Sequence, residues 1–338
     1  MASWAAAKMA ETRVIARRGA WPDAAAVLRR YPALAAMAVL LAFNFLVTPN
    51  FASWQTLNVN LTQVATIVIV SVGMTLVIGA GGIDLSVGSL MAISGAVAPL
   101  IFLSPFGRGH AIVGNALAFV VSIGVAGLFG LFNGWFITRF KVQPIVGTLV
   151  LFIAGRGVGQ VMTNGNLQVF KNPTFQFIGL GRVFGLPFQV IVMLAMVAAA
   201  AWILRRTLFG REILAVGGNE KAARLAGIPV ARVKRRVYAI SGLCAGVAGL
   251  VVVSINSSSD ANLVGLGMEL DAIAAVAVGG TPFTGGQASV VGSLLGALII
   301  QLVRYTLLAN GVPDAAALVV KGAIIAGAVW SQQRTRVS

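Results

Sequence analysis

The chain has few of the side chains that carry out chemistry. Its 338 residues include one cysteine, one histidine and nine carboxylates, set against 25 lysines and arginines. The lone Cys244 excludes an intrachain disulfide and any cysteine-spaced zinc site. The lone His110, at the end of an apolar run, argues against a metal centre or a histidine-based catalytic set. No G-x-x-x-x-G-K-[ST] segment is present, so the chain holds no nucleotide by a P-loop. H-E-x-x-H and G-x-S-x-G are absent too, which leaves an integral-membrane hydrolase or metalloenzyme without support.

Charge of any sign is also scarce. Only 10% of residues are charged and 58% are apolar, whereas a soluble domain averages about 25% charged. That is too little charge to cover a water-facing surface, so the composition describes a polytopic membrane protein. The net charge of +16 does not indicate nucleic acid. The basic residues gather at the ends of apolar runs and in a few loops, without the aromatic–basic interleaving of a strand-binding groove.

The apolar runs read as an all-α polytopic protein of about ten transmembrane helices, each needing roughly 20 apolar residues. They are Ala33–Val47, Val64–Ile78, Ser86–Leu103, Ala111–Ile137, Ile145–Met162, Pro187–Leu204, Val237–Ile255, Leu270–Val278, Ser289–Leu308 and Ala315–Trp330. Leu270–Val278 is too short to cross unless it starts near Leu263 or breaks inside the bilayer. With a basic N-terminus inside, the inside loops carry Arg139, Lys141, the Arg205–Arg236 block and the tail arginines Arg334 and Arg336. The outside segments carry Arg108, Lys171 and Arg182. Lys/Arg asymmetry sets orientation, so both termini are expected in the cytoplasm. The layout is a cytoplasmic tail over residues 1–30, a membrane domain over 31–332 and a short cytoplasmic tail over 333–338.

Two inside connections lack Lys and Arg. GAGGIDLSVGSLMA and GGTPFTGGQASVVGSLLG are glycine-rich, and each runs into a V-G-S-L helix start at Val87 and Val291. Irregular backbone at membrane depth survives only where protein buries it or where it lines a cavity. Paired glycine-interrupted segments therefore suggest broken or re-entrant elements of a transporter built from internal repeats; the alternative is that glycine simply lets helices pack closely. Asp84 precedes the first V-G-S-L start and is expected to cap it, with contact to substrate or a proton as the alternative. Glu269 and Asp271 open the short eighth segment in the same way. Arg156 and Lys321 lie inside apolar runs, where they either pair with Asp84 or Asp271, snorkel, or pack against a neighbour. Asp260, Asn256, Ser257, Ser258, Ser259 and Asn262 form a polar outer rim that suits a hydroxylated ligand, a docked protein or plain solvent.

The Arg205–Arg236 block is the most distinctive feature. RRTLFGREILAVGGNEKAARLAGIPVARVKRR holds nine Lys/Arg and two Glu. Asn219–Ile228 within it reads as a short helix closed by Gly227 in the left-handed conformation. A helix presented on the cytoplasmic side is a docking point for a soluble partner.

Five segments carry a resemblance. Gly73–Gly95, Asn133–Asn164, Gly217–Ile228, Leu270–Gly286 and Gly292–Ile300 resemble, in order, the permease subunits of bacterial ATP-binding-cassette sugar importers of the ribose/xylose/arabinose type. The resemblance covers nearly all of Leu61–Val329. It implies a paired permease, either two copies or two paralogues, in the bacterial inner membrane among its lipids. A cytoplasmic ATPase pair would hold ATP and Mg, and a periplasmic or lipid-anchored binding protein would deliver the sugar. This chain would bind no cofactor and no nucleic acid. Carried over by position, Gly218, Asn219, Glu220, Ala223, Arg224 and Gly227 couple to the ATPase. Asp84, Ser86, Asn133, Thr281, Phe283 and Thr284 are the expected pathway residues; for Phe283 the choice is between stacking on a sugar face and ordinary packing. DANLVGLGMELDAI, from Asp260, is similar to the subgroup that carries galactose in its furanose form. A stand-alone ion-coupled secondary carrier is the alternative from another class.

Overall fold

A computed structural model describes residues 32–334. The expected tail over residues 1–30 lies outside the described residues, as do residues 335–338 with Arg336; the Lys321 side chain is likewise not described. Each of the ten apolar runs coincides with a helix: α1 (Pro32–Val47), α2 (Trp54–Gly79), α3 (Val87–Phe102), α5 (Ala111–Phe140), α6 (Pro144–Met162), α8 (Phe188–Arg206), α11 (Val230–Asn256), α12 (Met268–Val278), α13 (Val290–Ala309) and α14 (Asp314–Arg334). Short helices α4 (Pro105–Gly109), α7 (Pro173–Leu180), α9 (Leu208–Gly218) and α10 (Glu220–Leu225) lie in the connections. Among the described residues, six helices (α2, α5, α6, α8, α11 and α13) are long and apolar enough to cross a bilayer. The α-helical expectation needs one amendment. Two-residue antiparallel ladders join β1 (Gln168–Val169) to β4 (Ser258–Ser259) and β2 (Arg182–Val183) to β3 (Leu186–Pro187).

The centre of the bundle is α2. Ser53 starts it by accepting the Thr56 N–H at 3.1 Å, and every residue from Val64 to Gly79 is buried. A helix apolar on all sides belongs inside. Against it and against α3 and α5 packs α11, with glycines at the closest approaches. A Cβ on Gly134 would stand 2.6 Å from the Arg235 Cα, and one on Gly246 3.0 Å from the Ala126 Cβ. Helices in lipid gain little from burial alone, so close backbone approach of this kind supplies the association energy.

The bundle has two chemically distinct ends. One end gathers the foot of α2, the 80–86 connection, the α5–α6 turn, α9, α10, the start of α11 and the 279–289 connection. It carries Arg139, Lys141 and the nine Lys/Arg of the Arg205–Arg236 block. Arg235 Nε donates to Thr138 Oγ1 there at 3.2 Å. The opposite end holds α4, α7, the strand ladders and the 256–267 loop, with Arg108, Lys171 and Arg182. Asn115 and Asn172, Gln176 and Ser257, and Thr48 and Asn310 tie that end together.

Candidate functional site: the two glycine-rich connections and the basic helix pair

Helix α2 stops at Gly79 because Ala80, Gly81 and Gly82 turn the chain back, with Gly81 at φ +77°. Residues 80–86 then run irregularly into α3, and a buried knot of polar groups secures them. Asp84 Oδ1 accepts the Ser86 N–H at 3.0 Å and the Ser86 hydroxyl at 2.6 Å, while Oδ2 accepts the Ser241 hydroxyl at 2.8 Å. Asn133 Nδ2 donates to Ser86 Oγ at 2.8 Å. The Tyr238 hydroxyl donates to the Ile83 carbonyl at 3.2 Å, and the Leu85 N–H donates to Thr148 Oγ1 at 3.1 Å. Asp84 and Ser86 are 0% exposed. One carboxyl thus joins the 80–86 connection to α11 directly and, through Ser86, to α5.

This geometry corrects the capping expectation. Ser86 is itself the residue flanking α3, and Asp84 holds that residue instead of reaching the first-turn N–H groups of the helix. Three of the sequence-expected pathway residues, Asp84, Ser86 and Asn133, are therefore one hydrogen-bonded chain. The other three lie on the second connection. Thr281 is buried and its Oγ1 accepts the Ser289 N–H at 3.1 Å, closing the 281–289 loop. Phe283 is half-buried and packs on the core, and Thr284 is exposed. The two connections meet where the Gly286 N–H donates to the Gly79 carbonyl at 3.1 Å.

The serines of the two V-G-S-L starts behave alike. Ser89 Oγ donates to the Ser86 carbonyl and reaches the Leu151 carbonyl on α6. Ser293 Oγ donates to the Ser289 carbonyl and accepts from Thr75 on α2. Each serine satisfies itself at its own helix start while joining a neighbouring helix.

The basic loop contains two helices where the sequence suggested one. Thr207 caps α9 by accepting the Gly210 N–H at 3.1 Å, and α9 buries Gly210, Ile213 and Val216. Asn219 then breaks the chain and caps α10, accepting the Ala222 N–H at 3.0 Å. Gly227 closes α10 at φ +81°, the left-handed conformation expected of it. Glu220 accepts from Lys234 Nζ at 2.6 Å and from Arg224 at 3.0 Å, pinning α10 to α11. The Lys234 hydrogen bond is the main reason the Glu220 carboxyl sits below its ordinary value; partial burial opposes it, and the charges of Lys234 and Arg224 assist. Ala223 is buried, whereas the Arg224 side chain is 66% and Leu225 90% exposed. The outward face of α10 is thus basic and apolar together.

At the opposite end Arg156 takes the packing alternative of the sequence reading. Arg156 pairs with neither Asp84 nor Asp271. Its Nη1 donates to the Ala261, Asn262 and Val264 carbonyls at 2.9, 3.2 and 3.0 Å. The loop backbone turns three carbonyls toward one nitrogen of the guanidinium, while the buried Nη2 is without a hydrogen-bond partner among the described residues. Gln160 on the next turn donates to Asn262 Oδ1 at 2.8 Å. Helix α12 begins after Gly267 at φ +74°, a residue with no side chain to cap with. Glu269 and Asp271 stand in its first turn, where negative charge suits the free N–H groups.

Sequence reasoning missed Ser241, Tyr238 and Thr148 as holders of the 80–86 connection, Arg156 as the holder of the 261–264 loop, and Gly217 at the junction. One signal was available: Gly-Gly pairs at 81–82 and 217–218, at the ends of α2 and α9, and at 285–286, inside the 279–289 connection.

A membrane bundle with glycine-interrupted elements and a basic helix pair at one end defines a transport subunit. Comparison with known proteins makes this specific. The family described as the branched-chain amino acid transport system permease component matches residues 56–329, and the chain belongs to that family. It is similar to the galactofuranose transporter permease protein YtfT of Escherichia coli, with 36% identity over 93% of this chain and 91% of that protein. The ribose import permease protein RbsC of E. coli is 40% identical over 89% of this chain and 93% of its own length. The L-arabinose ABC transporter permease protein AraH of Azospirillum brasilense is 32% identical over 95% and 91%. These relatives are permease subunits, not enzymes. No solved structure matches the chain.

Proposed function

We propose that this chain is the membrane-embedded permease of an ATP-driven, binding-protein-dependent importer for a monosaccharide. The relatives named for galactofuranose, ribose and L-arabinose set the substrate class, and the Asp260–Ile273 segment leans the choice toward a furanose sugar. The observation that carries the proposal is α10. It is a short helix capped at both ends and exposed on its basic, apolar outer face, at the end of the bundle where both glycine-rich connections also lie.

In this reading the basic end faces the cytoplasm, both termini lie there, and ten helices enter the membrane, α3 and α12 only part-way. A cytoplasmic ATPase receives α10 along Asn219, Glu220, Ala223, Arg224 and Gly227, with Gly218 at the junction to α9. ATP and Mg belong to that ATPase. Its closure moves α9 and α10, and the two glycine-rich connections shift with them to switch the pathway between the membrane faces. Asp84, Ser86 and Asn133 keep the first connection in shape. Thr281, Phe283 and Thr284 present the second to the sugar, whose hydroxyls need weak, reversible contacts so that it can leave again.

The test is affinity purification of the tagged chain from gently solubilised native membranes, with mass spectrometry of what accompanies it. The expected result is a P-loop ATPase in near-equal amount, lost in the Glu220→Ala/Arg224→Ala double variant. Recovery of the chain alone, with uptake that stops on collapsing the ion gradient but not on depleting ATP, would instead make it an ion-coupled carrier.

A further inference from the structure

Three stretches of backbone far apart in sequence touch at one point, with no side chain between them. They are the foot of α2 at Gly79, the end of α9 at Gly217–Gly218, and Gly285–Gly286 in the 279–289 connection. The Gly286 N–H donates to the Gly79 carbonyl at 3.1 Å. Gly217 sits directly over that hydrogen bond. A Cβ there would overlap the Gly79 carbonyl oxygen and stand 2.6 Å from the Gly286 nitrogen. Gly286 is at φ +79°, and a Cβ on it would stand 2.8 Å from the Gly218 Cα. A Cβ on Gly285 would meet Gly81 at the same 2.8 Å. Ile213 and Leu214 of α9 flank Gly79 on the remaining side.

We infer that Gly217 is the positioning residue through which motion of the basic helix pair reaches both glycine-rich connections at once. The inference rests on the importer reading and extends it from the docking helix to the transmission point. The physical basis is stiffness. A contact made by flexible side chains absorbs a small displacement by changing rotamer, whereas three backbones in van der Waals contact have no rotamers to change. Asn219 begins α10 two residues after Gly217, and Glu220 is clamped to Lys234, so any push on α10 bears on this junction. The junction in turn touches the last residue of the central helix and the loop that feeds α13. One displacement thereby acts on both halves of the chain, as a pathway that opens and closes as a unit requires.

A glycine away from the junction supplies the control. On α6, a Cβ on Gly157 would meet nothing within 4 Å, and its φ is not positive. The reporter is Gln287→Cys, on an exposed residue beside Gly286; the single native cysteine, Cys244, is 3% exposed and contributes little background. The complex co-purified from native membranes is reconstituted in lipid, and maleimide labelling of Gln287→Cys is followed with and without ATP–vanadate trapping.

With Gly217 intact, trapping is expected to change the labelling rate several-fold. Gly217→Ala is expected to keep the ATPase bound and hydrolysing while losing that change. Gly157→Ala is expected to keep both. The inference is overturned if the ATPase binds and trapping leaves labelling unchanged with Gly217 intact, an arm that needs no substitution at the junction. It is equally overturned if a folded Gly217→Ala complex responds like Gly157→Ala. Absence of any ATPase from the purified chain would sink the importer reading itself, a separate result.

Discussion

Replacing Asp84 with alanine should destabilise the bundle more than any other single change in the 80–86 connection. The substitution strands three donors: the Ser86 N–H at 3.0 Å, the Ser86 hydroxyl at 2.6 Å and the Ser241 hydroxyl at 2.8 Å. The backbone N–H cannot turn elsewhere, and a buried donor left without a partner costs about 1–3 kcal/mol. The two hydroxyls can rotate toward helix carbonyls and recover part of their loss. Removing the carboxyl also removes the cost of holding it away from water, which offsets some of the remainder. The expected sum is about 3–5 kcal/mol. Asp84→Asn keeps the volume and an acceptor for Ser86, and Ser241 need only rotate to accept the new N–H, so it should cost about 1 kcal/mol. The assay is unfolding of the purified permease in mixed micelles of rising SDS content, followed by tryptophan fluorescence. The ranking wild type, Asn, Ala is the expected outcome. Equal stability of the alanine variant and wild type would refute the account of the knot as the element that fixes this connection.

Other consequences can be checked singly. Arg156→Ala releases three carbonyls of the 261–264 loop; amide hydrogen exchange there should quicken markedly, while exchange at α9 and α10 stays as it was. Because the Glu220 carboxyl is held below the ordinary glutamate value of 4.5, its charge favours the docked α10 above that pH. The contribution disappears as the pH falls through the lower folded value. Exchange over residues 219–226 should therefore rise in acid in the wild type, and Glu220→Gln should remove the pH dependence; an unchanged acid profile in that variant would assign it to other groups. Glu220→Ala and Arg224→Ala should each lower uptake and ATPase stimulation in membranes while the amount of permease on immunoblots stays at the wild-type level.

Much of this protein was written into the order of its residues. Apolar run length and the shortage of charge dictate helices in a bilayer, because an unpaired peptide group in lipid has no water to turn to. All ten runs became helices, and the closure of α10 by Gly227 could be read directly, since it is a local matter between a free φ and the adjacent N–H and carbonyl groups. The partner of each polar group was another matter. Asp84 looked like a helix cap because its near neighbours in the chain are a helix start; Ser241, 157 residues on, arrives solely through the packing of α11. Arg156 looked for a carboxylate and found three carbonyls of a loop whose path depends on α3 and α12. The doubled glycines were visible one pair at a time, but three of them share a point only because the foot of α2, the end of α9 and the approach to α13 converge. Local chemistry fixes what a segment becomes; which segments touch is decided by the fit of whole surfaces, and no stretch of sequence contains that information alone.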